Sequence, residues 1–423
     1  MGSVKDLIRE GTPAVRFYAE PTIDRFGVGC WQVSGRYSVG DLKKLIPDTN
    51  IPQKAEALTM TTGAFFEWQI ENAWVPTCYI GVLDRDNRLT TVRDLVKRGD
   101  LSSKIVMKLA HVPDTYCGGD LDKYRADLIS GKLQCGVADV ESIFRKGFPL
   151  GSSTFEKIFG AVGRGEEYLT LATYKETVEG LDSIRNLVEE KGLDSFPKLK
   201  KVLEKYKLGN TIPNPGFVLK GITYDSTSKF EHAGDRALTK EEEAKLSGLD
   251  EAGYIIWSKE MFPRIAASQI AFCNERGILN IDGKGECVAH RKRPVLTDFV
   301  CNQDENRLMI ETEYDGVMWA IPSNKEIQRA IFRREGIYAA IDEAKRKATG
   351  ENNLDAWRDY LPNILQEKKI DLKAVSEYSC NLMENAIAEV ANRILGQEVF
   401  EAKPLELWVG DFLPYASKIT HQE

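Results

Sequence analysis

Residues 277–307 constrain this chain more than any other stretch, because they read as two strands joined by a turn, with charge gathered on one face. Asp282, Lys284 and Glu286 sit two apart, and strand side chains alternate faces with a period of two, so a strand here points all three the same way. After a basic turn, His290 to Arg293, a second apolar run from Val295 to Cys301 carries Asp298 in its middle. Paired as a hairpin, the two runs bring Asp298 beside Glu286 or Asp282, and clustered carboxylates are what a hard, oxygen-seeking cation such as Mg2+ requires. Arg307 follows just past the second strand, where its forked guanidinium suits a phosphate or a carboxylate. The bland alternative is a solvated strand face. Against it stands a predicted helix capped by Ser258, with Phe262, Ala266, Ile270 and Cys273 at helical spacing and Gly277 as its stop, which would give the hairpin a rigid platform.

The hydrophobic share of 42% and charged share of 29% over 423 residues are those of a soluble globular protein long enough for two or more cores. A net charge of −7 argues against a general binder of nucleic acid or membrane surfaces, which concentrates positive charge to meet phosphates. The eight cysteines include no Cys-x-x-Cys pair and several lie in apolar runs, so reduced, mostly buried thiols of a cytoplasmic protein are expected, with no zinc site. No apolar run approaches the ~20 residues that span a bilayer, and the first residues lack the order of a signal peptide.

Taken in order, the chain opens with short β-like runs, Ala14 to Tyr18 and Phe26 to Val33, and a small-residue loop, Ser34-Gly-Arg-Tyr-Ser-Val-Gly-Asp41. That loop reads either as an ion-meeting segment or as a plain turn. Ile51-Pro-Gln-Lys54 leads into a helix over 57–73, with Leu58, Phe65, Phe66 and Ile70 on its buried side. Tyr79 to Leu83 and Lys104 to Leu109 read as strands. Residues 113–137 turn polar and are expected to form an irregular insertion. Val140 to Arg145 alternates like a strand and puts Glu141 and Arg145 on one face, and Gly147 to Ser153 is the best phosphate-cradle candidate, although it lacks a P-loop ending. Residues 181–206 read as one amphipathic helix. Phe217 to Asp225 reads as a strand delivering Ser228-Lys229-Phe-Glu231, and a mostly helical region follows Arg307.

The order of these pieces resembles the phosphoribosylaminoimidazole-succinocarboxamide synthase (SAICAR synthetase) family. The matching segments are Tyr37-Ser-Val-Gly-Asp41, Ile51-Pro-Gln-Lys54, Lys108-Leu109 with Val112-Pro113, Glu141 and Arg145 ahead of Gly151-Ser152, Ser228-Lys229-Phe-Glu231, Asp282-x-Lys284-x-Glu286, Asp298, and Asp304-x-x-Arg307. The resemblance implies an α+β, two-lobed fold of antiparallel sheets with flanking helices and a helical C-terminal extension. Its expected divisions are a β-rich nucleotide lobe over 1–109, a central lobe with the substrate and Mg-ATP motifs over 110–310, and a helical region over 311–423.

It also implies an activity: ATP- and Mg2+-dependent joining of a carboxyaminoimidazole ribonucleotide to L-aspartate through an acyl phosphate. Glu286 and Asp298 would hold Mg2+. Lys108 and Leu109 would line the adenine slot, with Glu141 and Gly11 also on the ATP side. Arg145, Ser152 and Arg307 would grip the ribonucleotide's phosphate and ribose. Lys229, Lys284 and Asp282 would stand near aspartate and the reacting carboxylate, and Asp41 near the imidazole substrate. The implied partners are small molecules, with neither nucleic acid nor membrane, and a homo-oligomer is allowed. The chain departs from the family where Gly11 is followed by Thr12-Pro13-Ala14 instead of lysines, and in the 113–137 segment. Three rivals stay open: a paralogue ligating another amine or carboxylate, a non-catalytic nucleotide binder, and a small-molecule kinase.

Overall fold

The computed structural model describes residues 5–10, 12–36, 50–168, 170–231, 236–350 and 357–422. Within them the chain is a mixed α+β fold of three largely antiparallel sheets flanked by helices. Gly11 and Asp41, with the rest of the loop over 37–49, lie outside the described residues.

The first sheet contains β1 (Lys5–Leu7), β2 (Gly27–Val33), β3 (Tyr79–Leu83), β4 (Leu89–Thr90) and β5 (Lys104–Leu109), in the order β1-β2-β5-β3-β4. The central sheet uses β6 (Cys135–Phe148) and β7 (Phe217–Thr227). After the short β8 (Ile278–Asn280), it continues with β9 (Asp282–His290) and β10 (Arg293–Thr297). The third sheet is built on the hairpin of β11 (Leu308–Tyr314) and β12 (Val317–Pro322), with β8 on one side and β13 (Ser417–Lys418) on the other. The last strand, β14 (Thr420–His421), returns to the central sheet, whose order is β10-β9-β6-β7-β14.

The sheets are stitched together by backbone. Cys78 N–H donates to Leu296 O at 2.8 Å and Val137 N–H to His111 O at 2.9 Å, tying the first sheet to the second. Ile281 N–H donates to Arg307 O at 3.1 Å and Arg307 N–H to Asp282 O at 2.9 Å, tying the second to the third. The expected hairpin is present, with His290 opposite Arg293 and Glu286 opposite Thr297, but its second strand ends at Thr297: Asp298, with φ +66°, and Cys301, with φ +57°, lie beyond it, so Asp298 follows the strand and does not sit in its middle. Its turn residues Arg291 and Lys292 both have positive φ, 50° and 66°, the handedness that matches the twist of paired strands.

One large core runs between the first sheet, the helix Lys54–Asn72 and the helix Leu372–Leu395, which pack on each other. Leu58, Phe65 and Phe66 are buried as expected, but Ile70 is 44% exposed. A second core, around Phe148, Phe155, Phe159, Leu181 and Leu203, lies under the helices Ser153–Ala161, Tyr174–Lys191 and Pro197–Lys205.

Several expectations are corrected. Pro13–Phe17 is a 3-10 helix capped by the Thr12 hydroxyl, because Pro13 fits a helix start better than a strand. The 113–137 segment is ordered: it forms the helices Pro113–Cys117 and Leu121–Ser130, and Tyr124 is fully buried. The expected single helix over 181–206 is two, parted around Gly192 and restarted at Pro197. Ser258 does not start a helix. Asp250 caps at Gly253 N–H, 2.6 Å away, and the chain then runs helically through a π-turn, Ile256–Met261, into Phe262–Asn274. Ser258 Oγ instead donates to Tyr254 O. After Arg307 come β11 and β12 before the helices begin at Glu326, and Gly336, with φ +77°, splits the first of these from the next. The eight cysteines form no disulfide, and seven of them are buried. Among the described residues no helix is long and apolar enough to cross a membrane.

Candidate functional site

The charged face of the central sheet follows from its register. Across the β6–β9 ladder Glu141 faces Glu286, Ile143 faces Lys284 and Arg145 faces Asp282. On the other side of β6, the same three residues face Thr227, Asp225 and Thr223. Directly opposed residues of an antiparallel pair point to the same side, so these acids and bases share one face. The opposite face of β9 is cut down to glycine. A Cβ on Gly283 would lie 1.9 Å from Asn306 Nδ2, and one on Gly285 would lie 3.0 Å from the Phe262 ring. The alternating Asp-Gly-Lys-Gly-Glu pattern therefore presents charge on one side and admits close packing on the other.

The face divides into two clusters. Asp282 and Glu286 are four residues apart on β9, roughly 13 Å at ~3.3 Å per residue. At the Glu286 end, Lys284 Nζ lies 2.7 Å from Glu141 Oε2, 2.9 Å from Glu305 Oε2 and 3.9 Å from Glu286 Oε1. Lys229 Nζ donates to Glu286 Oε2. Lys5 Nζ lies 2.8 Å from Asp298 Oδ1 and 3.1 Å from Glu305 Oε1, and the buried Lys54 pairs with Asp304 at 3.1 Å. At the other end Arg145 reaches Asp282 at 3.3 Å and Asp225 at 3.5 Å, while Arg307 bonds Asp282 and, at 3.1 Å, Glu326.

The first cluster lines a cleft of about 1020 Å³ between the first and central sheets. Trp31, Met107, Leu109, Val112 and Val137 give it an apolar wall, and Lys108 and Ala110 also border it. Glu141, Lys229, Lys284, Glu286 and Asp298 line the same cleft, so the structure brings together seven of the site residues expected from sequence. Arg145, Asp282 and Arg307 gather in the second cluster, away from the cleft lining; Asp282 thus stands with the arginines and apart from Lys229. Ser152 is fully buried, and its Oγ accepts from Thr154 N–H as the cap of the helix Ser153–Ala161. Its neighbour Ser153 puts Oγ 3.4 Å from Arg145 Nη2. Lys108 is exposed, with its Nζ 5.7 Å from the Phe26 ring centroid.

Charge and burial compete throughout the cleft. Burial, then repulsion from Asp298, pushes the Glu286 carboxyl up to about 7 against the pull of Lys229 and Lys284. Burial also opposes ionisation of Asp298, but Lys5, Lys229 and Lys284 outweigh it and hold that carboxyl below its usual range. Burial likewise works against the Lys284 ammonium, and Glu305, Glu141 and Glu286 overcome it and hold the pKa well above that of an ordinary lysine. Lys325, in the same cleft, is lowered by burial. Glu286 Oε1 is buried without a hydrogen-bond partner, an arrangement costly enough to suggest that something else belongs there.

Among the described residues no group of three His, Cys, Asp or Glu side chains is placed to hold a metal unaided. Magnesium in nucleotide sites commonly takes only one or two carboxylates and completes its shell with phosphate and water. The unpartnered Glu286 oxygen, with Asp298 close enough to raise its pKa, fits that requirement.

Sequence reasoning missed Lys5, Lys54, Glu305, Lys325, Asp225 and Glu326. Lys54 and Glu305 sit inside or beside quoted motifs and were within reach, whereas nothing local marks Lys5. The sequence also missed what fixes Lys229. Asp139, fully buried, accepts from Lys229 N–H at 3.0 Å and Phe230 N–H at 2.8 Å, and is itself held by Arg125 from the 113–137 segment.

By its sheets and cleft the protein belongs to the α+β class, with a charged antiparallel face beside an apolar-walled cavity. No protein-family model matches the chain, and no curated protein matches it. Among solved structures it is similar to SAICAR-synthase from Saccharomyces cerevisiae complexed with SAICAR, at 12% identity over 94% of each chain and a TM-score of 0.47. It is similar to a SAICAR synthetase (Type-2) in complex with ADP, at 13% identity over 80% of this chain and 94% of that one, with a TM-score of 0.43. A third is phosphoribosylaminoimidazole-succinocarboxamide synthase from Ehrlichia chaffeensis, at 9% identity over 87% and 97%, with a TM-score of 0.39.

Proposed function

We propose that the chain is an ATP-dependent ligase that activates a carboxylate as an acyl phosphate and joins it to an amine, with carboxyaminoimidazole ribonucleotide and L-aspartate as the pair. The observation that carries this reading is the buried Glu286 oxygen that accepts no hydrogen bond, inside a cleft that is apolar on one wall and densely charged on the other. A nucleoside triphosphate needs both surfaces: an apolar slot for its base and a place where cations meet its phosphates. The ordered run of family-like motifs in the sequence supports the same reading.

In this reading Met107 and Leu109 would take the adenine, with Lys108 at its edge, and Glu286 and Asp298 would hold Mg2+. The ion, when bound, supplies Lewis-acid neutralisation of charge on the transferring phosphoryl group. Lys229 and Lys284 orient the anionic reactants, since a carboxylate is a poor electrophile until its charge is masked. Arg145 and Arg307, roughly 13 Å along the strand, hold the phosphate end of the ribonucleotide; their forks suit it. Asp282, between the two guanidiniums, keeps them oriented.

A second reading keeps the acyl-phosphate chemistry and changes the amine. It is favoured by the acids already on the expected aspartate lysines: Lys229 holds Glu286, and Lys284 holds both Glu141 and Glu305. One experiment tests both. The protein is incubated with ATP, Mg2+, carboxyaminoimidazole ribonucleotide and aspartate, and ADP and the new amide are followed together. ADP that appears only with both co-substrates supports the first reading. ADP with the ribonucleotide alone, indifferent to aspartate, supports the second, and ADP under no combination sinks both.

A further inference from the structure

Lys5 stands on β1, the edge strand of the first sheet, opposite Val33 of β2. From there its ammonium enters the cleft, with Nζ 2.8 Å from Asp298 Oδ1, 3.1 Å from Glu305 Oε1 and 4.2 Å from the Phe299 ring centroid. It thus occupies an oxygen of one of the two carboxylates that would hold a divalent cation. The other, Glu286, is 2% exposed, and its Oε1 accepts no hydrogen bond, with the Lys284 ammonium 3.9 Å away.

The charge balance explains why an ammonium belongs here. Glu141, Glu286, Asp298 and Glu305 crowd one end of the cleft, and the lysines pairing with them there are Lys5, Lys229 and Lys284. Without Lys5, Asp298 would lose its ion pair at 2.8 Å and keep only the weaker pull of Lys229 and Lys284, and Glu305 would keep its pair with Lys284, so buried negative charge would be less well balanced. A divalent ion brings twice the charge and prefers oxygen ligands. An ammonium held on Asp298 Oδ1 sets a positive charge beside any cation bound to that carboxylate, and the repulsion between them opposes the cation.

We propose that Lys5 is a resident counter-ion: it holds Asp298 and Glu305 while the cleft is empty, competes with a divalent cation for them, and is displaced when the cation enters with nucleotide, whose phosphates then take up the freed ammonium. This rests on the reading of the cleft as a metal–nucleotide site. The consequence is coupling. Metal alone binds against Lys5 and is weak; metal and nucleotide together bind with its help.

The test uses the full chain as parent, Lys5→Met and Lys5→Arg, with folding of each checked by circular dichroism and thermal melting. Mn2+ affinity is measured by electron paramagnetic resonance with and without ATP. Lys5→Met should bind Mn2+ alone roughly five- to a hundredfold more tightly than parent, and ATP should tighten Mn2+ less in it than in parent. Lys5→Arg keeps the charge and should behave as parent. Unchanged or weaker Mn2+ binding by folded Lys5→Met overturns the proposal, as does an absence of Mn2+ binding in both proteins. Mn2+ binding that appears or tightens in Lys5→Met while no variant binds ATP upholds the competition for Asp298 and rejects the nucleotide reading of the cleft.

Discussion

Glu141 on β6 and Glu286 on β9 face each other directly across the central ladder, with Lys284 Nζ 2.7 Å from the first carboxylate and 3.9 Å from the second. Opposed like charges destabilise a sheet unless a counter-charge joins them. The lysine two residues from Glu286 on the same face serves that purpose, and the pair remains a place where added positive charge is welcome.

The first prediction concerns pH. With the Glu286 carboxyl raised to about 7, a cation binding below that pH must displace a proton. Mn2+ affinity should therefore fall by up to roughly tenfold per unit as pH drops below 7 and level off above it. The carboxyl is neutral at low pH and charged at high pH, so the sign is a gain with rising pH. Titration calorimetry between pH 5.5 and 8.5 checks this. Glu286→Gln should bind more weakly with the slope flattened, and a parent profile flat across 7 would refute the assignment.

Arg145→Lys should raise the KM of the ribonucleotide roughly tenfold, about 1.4 kcal/mol, with little change for ATP. Lysine keeps the charge but cannot span Asp225, Asp282 and Ser153 as the guanidinium does. Steady-state kinetics with each substrate varied in turn separates the two values. Equal effects would move Arg145 into the ATP site or into structure.

Lys229→Met removes the cation on Glu286 that is also expected to meet the amine substrate's carboxylate. Aspartate-dependent kcat/KM should fall by about 2–5 kcal/mol equivalent, measured at saturating ATP and metal because the same lysine also balances Glu286. Unchanged aspartate turnover in this variant counts against the role.

Asp139→Ala tests the support beneath Lys229. The fully buried carboxylate is lost from Arg125 and from two backbone N–H groups, so urea unfolding should show a loss of about 3–5 kcal/mol. A loss under about 1 kcal/mol would mean that the pocket relaxes around the gap.

Much of this was legible in the sequence where chemistry and periodicity agreed. Tyr79–Leu83 and Lys104–Leu109 are the expected strands, because β-branched and apolar residues dominate both. The hairpin and the charged face of β9 followed from spacing, whereas the end of the second strand before Asp298 did not. The 113–137 helices were obscured by their polar surface, yet the Asp120 cap, the Tyr124–Leu128 pair and Gly131 form a helix signature that could have been read. The two-cluster division was not legible. It depends on Arg145 meeting Asp282, and hence on the register shift in β6 between Val137 and Glu141, which no local pattern announces. Lys5 and Glu305 meet only because β1 lies at the edge beside the cleft, a matter of strand order.

β13 and β14 lie late in the sequence yet close sheets begun far earlier: Ser417–Lys418 pairs with β12, and Thr420–His421 joins the start of β7 in parallel. Translation therefore delivers the sealing pieces after the strands they cover. A nascent chain halted before residue 417 would expose an open edge on both sheets, each a template for an unwanted neighbour. One short segment, residues 417–421, thus covers part of an edge on each of two sheets and shortens what either leaves open.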